Sequence, residues 1–299
     1  MSNDIFKPVN INYLTYPYGL VNTGSLCYLN SIIQSLTSCS IFNEYMLTNK
    51  EKFITDNNTL AVYFINIISS NLNNSSNTII NENINILKEI IRLKRKNNNK
   101  FNFLGQQDVS ECITFIIESL NDNNIYKMFY HKYKCDILCS NCKYTSSIQD
   151  DISYQFEISM NEKINILSKN IRLNISQLVD YKCEQCKNIN NCNKINRLQY
   201  IPPILIINLN KYFNKELYDF KKNLIFYNDD IKKKYIYTIV SIIEHGGNQF
   251  SGHYISKSIK KSENNKIKAY LCNDSHYIES NLNPALNSYL LFYNLIKIE

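Results

Sequence analysis

The chain has 299 residues, 44% of them hydrophobic and 12% aromatic, which is enough for one large packed domain or two modest ones and too apolar for a disordered chain. The net charge of +7 permits nucleic-acid contact, but it is concentrated partly in two short runs, Arg92–Lys100 and Lys232–Lys234, which read as solvated loops. Met1–Val9 is polar and the longest apolar runs are strand-sized, so neither a signal peptide nor a membrane span is expected, and the chain reads as soluble and intracellular.

Asparagine, isoleucine, lysine and tyrosine are over-represented and tryptophan is absent, a pattern that suits an AT-rich coding bias and deprives isolated Asn or Lys residues of diagnostic value. In an intracellular protein, ten cysteines point to catalysis, metal binding or simple burial before disulfides.

Gly19–Leu36 is the first informative segment. A glycine-bearing loop ends on Cys27, where an apolar-periodic helix begins. The N-terminus of a helix offers unpaired N–H groups and partial positive charge, which favour a thiolate. A second helix is expected over Leu60–Ser70, an asparagine-rich loop over Asn71–Asn85, a helical patch at Ile84–Leu93 and a charged break at Lys94–Lys100. Gln107–Leu120 then reads as a helix whose start carries the capping pair Asp108 and Glu111. From Phe129 onward the pattern turns to strands: Tyr133–Leu138, Tyr154–Ile158, Ile204–Phe213, Tyr235–Ile243, Tyr254–Ile259, Ala269–Cys272 and Tyr289–Tyr293. Helices first and strands later predict an α+β fold.

A thiol hydrolase needs a base, a residue that orients the base, and donors for the oxyanion. Of four histidines, His253 stands between a glycine-rich turn and an alternating strand. Asn273 or Asp274, one strand and one turn later, could reach its imidazole. The plainer alternative is a buried cysteine and a structural histidine. Cys39, Cys112 and Cys272 lack a comparable loop and are expected in the core. Two C-x2-C knuckles, Cys139/Cys142 and Cys183/Cys186, can together form a four-thiolate zinc site, with Cys135 and Cys192 as flanking substitutes.

The ordered set Gly19-Leu20, Asn22, Gly24, Cys27-Tyr28, Asn30-Ser31, Gln34, Leu36, then Gln106-Gln107-Asp108 and Glu111, Pro202-Pro203, His245, Gly252-His253-Tyr254, Tyr270, Asn273-Asp274 and Tyr289–Tyr293 resembles the catalytic domain of the ubiquitin-specific proteases. The resemblance implies a papain-like right hand with a helical thumb (about 19–128), zinc-bearing β fingers (about 129–200) and a β-sheet palm (about 201–299), after an N-terminal extension of residues 1–18. It implies a deubiquitinase with Cys27 as nucleophile, His253 as general base, Asn273 orienting the imidazole, Asp274 supporting it, and Asn22 donating to the oxyanion with the Cys27 N–H. Asp108 and Glu111 match positions that contact the extended tail of ubiquitin, and Gln107 and Tyr254 are counted with them as substrate-binding. Structural zinc on Cys139, Cys142, Cys183 and Cys186 is the expected cofactor, and ubiquitin the expected partner of a monomer that needs neither membrane nor nucleic acid. Ser25-Leu26 departs from the Asn-Thr often found before the cysteine. Cys112 stands where Phe is usual, and Asn208–Tyr212 departs from the usual strand after Pro203. The rival readings are a catalytically silent ubiquitin-binding module, a protease for a related modifier, and a zinc-ribbon nucleic-acid binder.

Overall fold

A computed structural model describes residues 9–73, 75–97, 107–157, 173–209, 222–228, 233–248 and 251–299. Seven helices come first among these residues: α1 (Cys27–Leu36), α2 (Ser40–Thr48), α3 (Lys50–Thr55), α4 (Thr59–Leu72), α5 (Asn77–Asn97), α6 (Val109–Ser119) and α7 (Asn123–Phe129). Strands follow in two sheets. The smaller, antiparallel sheet has the order β2 (Thr145–Ser153), β1 (His131–Cys139), β5 (Cys192–Tyr200), β4 (Leu173–Leu178). The larger runs β11 (His276–Ser280), β10 (Ile267–Asn273), β9 (Gly252–Lys261), β8 (Lys233–Gly247), β12 (Ser288–Ile298), β6 (Ile204–Asn208), β3 (Phe156–Glu157), with β7 (Asn223–Asn228) also on β8. The α+β order expected from the sequence is the one observed.

Two expectations change. The asparagine-rich stretch 77–85 is helical, because Ile80, Ile84, Leu87 and Ile91 form one buried stripe that docks α5, while Asn83 bonds locally to the Ile79 carbonyl, Asn85 is exposed and Asn81 accepts from the Val21 N–H. The same helix runs on to Asn97 through most of the supposed charged break. Gln106, Ile158 and Asn210–Phe213 lie outside the described residues, so the second box, two strand ends and the Asn208–Tyr212 departure are covered only in part.

All ten residues of α1 are buried. The helix lies between the other helices and the larger sheet, with Leu29, Ile32, Ile33 and Leu36 in one core with Phe42, Phe64 and Ile116 on one side and Val240, Ile243, Leu290 and Phe292 on the other. The alternate residues of the same strands, among them Leu205, Ile207, Ile242, Leu291 and Tyr293, build a second core on the opposite face. This is why β6 and β12 read as unbroken apolar runs and not as alternating ones.

The polar residues of α1 lock it in place. Gln34 Nε2 donates to the Tyr18 carbonyl at 2.7 Å, and Ser241 Oγ donates to Ser35 Oγ at 2.9 Å. At the helix C-terminus the fully buried Lys260 donates to Gln34 O (3.2 Å), Thr15 Oγ1 (3.0 Å) and Thr37 Oγ1 (3.1 Å). A cation there complements the helix dipole. Burial nevertheless pulls the Lys260 pKa down to about 8.

Candidate active site

Cys27 is the first residue of α1, with Leu26 as N-cap and no side-chain cap bond. The loop before it is shaped by Asn22, whose Oδ1 accepts from the Gly24 N–H and the Leu26 N–H, both at 3.2 Å. Ser25 is exposed and Leu26 packs against the main core, so the departure at these two positions leaves the loop organised from Asn22. Gly19 is required further back, since a Cβ there would sit 2.1 Å from the Ser275 carbonyl oxygen.

Cys27 is 3% exposed. Burial pushes its thiol up from the ordinary value and the Asp274 carboxylate adds to this, while the backbone N–H groups of Tyr254, Tyr28 and Cys27 pull it down. The helix N-terminus therefore acts on the sulfur as the sequence predicts, but burial outweighs it. Burial thus favours the protonated thiol, and a base beside it would make it a nucleophile.

Tyr254, whose N–H reaches the Cys27 sulfur, follows His253 directly on β9. His253 Nε2 lies 2.7 Å from Asn273 Oδ1. An amide oxygen only accepts, so Nε2 carries the hydrogen and Nδ1 of the neutral ring keeps its lone pair. Gly252 is fixed by packing, since a Cβ would approach the His245 ring at 2.4 Å.

Asn273 ends β10, and a two-residue turn, Asp274-Ser275, leads back through β11 from His276. Asp274 has φ of 47°, in the left-handed region that Asp tolerates better than most residues. This turn aims its carboxylate inward. Asp274 Oδ1 accepts from Asn30 Nδ2 at 2.7 Å, Oδ2 accepts from Asn22 Nδ2 at 3.0 Å, and Oδ2 lies 3.8 Å from His253 Nε2. Its carbonyl accepts from the Leu20 N–H at 2.8 Å. One aspartate thus joins the base, the loop before the nucleophile, and α1.

Of the other histidines, His131 is buried and stacks on Phe156 at 3.6 Å, and burial drops its pKa to about 3. His276 is exposed, beside Ser275 Oγ. His245 lies against Tyr254 (ring centroids 4.3 Å apart), and burial lowers its pKa against an opposing pull from Asp108.

Asp108 caps α6 by accepting from the Ser110 and Glu111 N–H groups through Oδ1, as the capping pattern predicts. Its Oδ2 accepts from Tyr289 Oη at 2.6 Å, tying α6 to β12. Tyr254 is buried between His245 and Tyr289, Gln107 is half-buried just before the cap, and Glu111 is exposed. Tyr289 and Asn30 were visible in the motifs but carried no assigned partner. Their bonds join residues 181 and 244 positions apart, a relation that spacing does not encode.

The four cysteines at the end of the smaller sheet converge. The sulfurs of Cys139, Cys142, Cys183 and Cys186 all lie within 4.8 Å of one another. Cys139–Cys186 and Cys142–Cys183 are each 3.7 Å apart. A tetrahedral site with metal–sulfur bonds of about 2.3 Å needs sulfurs about 3.8 Å apart, so the spacing fits zinc. The knuckles repeat one backbone design. Lys143 (φ 62°) and Lys187 (φ 61°) turn left-handed, and their N–H groups bond the carbonyls of Cys139 and Cys183 at 3.0 and 3.1 Å. The Cys142 N–H pulls the Cys139 thiol down to about 6, and the Asn188 N–H lowers that of Cys186. Cys192, opposite Cys139 in the β1–β5 register, is buried beside the cluster, and Cys39, Cys112 and Cys272 lie in the core as expected.

A buried thiol at a helix start, an imidazole held by an amide, and a sheet against a central helix define the class: a papain-like α+β cysteine hydrolase. The family model for ubiquitin carboxyl-terminal hydrolases matches residues 18–293, and the chain belongs to that family of cysteine-type deubiquitinases. It is 23% identical to ubiquitin carboxyl-terminal hydrolase 12 of Salmo salar over 355 positions, covering 96% of this chain and 90% of that protein. It is 26% identical to ubiquitin carboxyl-terminal hydrolase 14 of Saccharomyces cerevisiae over 212 positions, which take in 64% of this chain and 26% of that protein. Among solved structures, the Ubp8/Sgf11/Sus1/Sgf73 SAGA DUB module bound to monoubiquitin has a chain that matches with TM-score 0.75 at 20% identity, covering 98% of this chain and 72% of that one. The same module bound to ubiquitin aldehyde matches with TM-score 0.70 at 20% identity, over 97% and 72%. No helix among the described residues is long and apolar enough to cross a membrane.

Proposed function

We propose that the chain hydrolyses the peptide or isopeptide bond after the C-terminal glycine of ubiquitin, with Cys27 as nucleophile. The observation that carries this reading is the His253–Asn273 pair set one residue before Tyr254, whose N–H reaches the Cys27 sulfur. His253 Nδ1 takes the thiol proton as sulfur attacks the carbonyl carbon. The oxyanion is met by the Cys27 N–H and by the Asn22 amide hydrogen that Asp274 does not use. The imidazolium then protonates the leaving amine and the thioester forms. Water, deprotonated by His253, releases the ubiquitin carboxylate and the thiol.

Asp108, anchored by Tyr289, and the nearby Gln107, Glu111 and Tyr254 are the residues for the extended tail of the substrate. The helices before residue 129 form the thumb of this reading, the smaller sheet the fingers and the larger sheet the palm. Zinc on Cys139, Cys142, Cys183 and Cys186 would be structural, tying the β1–β2 turn to the segment before β5. Ten free cysteines, four of them converging where a metal could bind, suit a reducing compartment and so conjugates inside the cell.

The test is cleavage of a fluorogenic ubiquitin C-terminal reporter by the full chain and by Cys27→Ala, with mass spectrometry to locate the adduct of a ubiquitin suicide probe. Turnover lost in Cys27→Ala and an adduct on Cys27 are expected. Binding of ubiquitin without labelling would establish the silent module instead. Preferential labelling by a related modifier's probe would reassign the substrate.

A further inference from the structure

The catalytic roles of Cys27, His253, Asn273 and Asn22 leave one buried charge near the site unexplained. Lys88 sits on α5, is 5% exposed, and donates from Nζ to the Val21 carbonyl at 2.7 Å. The N–H of the same Val21 donates to Asn81 Oδ1 at 3.2 Å. Asn81 and Lys88 are seven residues apart, two turns on one face of the helix, and the longer side chain leans back toward the N-terminal one. They therefore grip a single residue by both of its backbone polar groups.

Val21 stands between two residues already tied to Asp274. Leu20 donates its N–H to the Asp274 carbonyl, and its own carbonyl accepts from Asn30 Nδ2 at 3.1 Å. Asn22 donates to the Asp274 carboxylate. Without α5, the Val21 backbone would lose both of these bonds, and its side chain, 43% exposed, is only partly packed.

We infer that Asn81 and Lys88 are positioning residues for the reaction, holding the Val21 backbone so that Asn22 presents its amide at a fixed place beside Cys27. The inference rests on the reading of Asn22 as oxyanion donor. A neutral donor could satisfy one carbonyl at lower desolvation cost. An ammonium does more, since its charge attracts the Asp274 carboxylate, the same charge that pushes the Cys27 thiol up. Burial holds the Lys88 pKa down to about 8, against the pull of Asp274.

The test compares wild type with Lys88→Met, Asn81→Leu and the double variant. Lys88→Met should lower kcat on the ubiquitin reporter about tenfold or more while KM stays within about twofold, as for loss of an interaction made in the transition state. Amide exchange of the 19–26 segment should quicken, with the cooperative melt retained. Asn81→Leu should act in the same direction, and the double variant should cost less than the product of the singles because both grip one residue. An unchanged kcat, an effect on KM alone, or a fall in kcat with unchanged exchange at 19–26 would overturn the inference. If Lys88→Met does not fold, Asn81→Leu decides by the same readouts. If wild type itself fails to turn over, the deubiquitinase reading fails, and the exchange comparison still decides whether α5 fastens the loop.

Discussion

His253 and Asn273 meet through Nε2 and Oδ1 at 2.7 Å, and this one contact fixes the tautomer of the base. With the hydrogen on Nε2, the lone pair is on Nδ1. The Asp274 carboxylate, 3.8 Å from the same Nε2, is too far for a hydrogen bond, but its negative charge lies beside the ring that takes up the proton during attack. Orientation is thus supplied by a neutral amide and charge stabilisation by its neighbour.

Asn273→Ala should therefore lower kcat by about a hundredfold, within the range a positioned general base contributes, with KM little changed. Asn273→Asp keeps an acceptor for Nε2 and should retain most activity. Steady-state kinetics on the ubiquitin reporter check both. Equal activity in Asn273→Ala and wild type would remove Asn273 from the mechanism.

Asn22 makes a sharper case because its two ends do different things. Oδ1 shapes the loop through the Gly24 and Leu26 N–H groups, and Nδ2 faces Asp274. Asn22→Ala should raise the barrier by about 3 kcal/mol, a factor of more than a hundred in kcat. Asn22→Asp keeps the loop acceptor but sets a second carboxylate against Asp274, so it should be no more active than Asn22→Ala. Single-turnover acylation rates measure this directly, and a fast Asn22→Asp variant would exclude the amide donor.

At the four-cysteine cluster, four converging thiols that could hold a metal stand beside a fifth, Cys192, that does not converge with them. Cys183→Ser should lose the bound metal and lower the melting temperature, because structural zinc contributes folding energy. Cys192→Ser should keep one metal per chain, since Cys192 neighbours the cluster but is not one of the four converging thiols. Zinc stoichiometry and thermal melts of both variants check this. Equal metal loss in both would mean that Cys192 is a ligand.

Much of this site was legible because its parts are local. Cys27 at a helix start, His253 at the head of an alternating strand, Asn273-Asp274 where a strand meets its turn, and two knuckles of identical spacing each declare themselves within a few residues. Asp108 was legible as a cap for the same reason. What could not be read were contacts across the chain: Tyr289 on Asp108, Asn30 on Asp274, Lys88 on Val21. Composition hid α5 as well. Asparagine in 77–85 gave a loop-like reading, and only the docking of Ile80 and Ile84 shows that tertiary packing overrides it. The thiolate expectation for Cys27 was sound about the helix N-terminus and silent about burial, which decides the direction in which the thiol moves.

Lys260 gives the last prediction, in stability and not in catalysis. Its folded pKa is depressed from 10.5 to about 8 by burial, so between those values the unfolded chain holds a proton that the folded chain has released. Stability rises with pH wherever the unfolded state binds more protons. The Lys260 contribution is therefore least favourable below pH 8 and improves as pH climbs toward 10. Buried thiols such as Cys39, whose pKa burial raises, act in the opposite sense over the same range, so the wild-type curve alone does not isolate the lysine. The difference between wild type and Lys260→Met reports the lysine together with its pull on Cys39 and Cys272, which is smaller than the burial effect on each group. That difference should move toward wild type by about 3 kcal/mol from pH 7 to pH 10, because a tenfold change in proton affinity is worth about 1.4 kcal/mol. Urea unfolding of both proteins at four or five pH values measures it. A flat difference would show that the ammonium at the end of α1, bonded to Gln34, Thr15 and Thr37, is stabilised by those oxygens as well as it is by water.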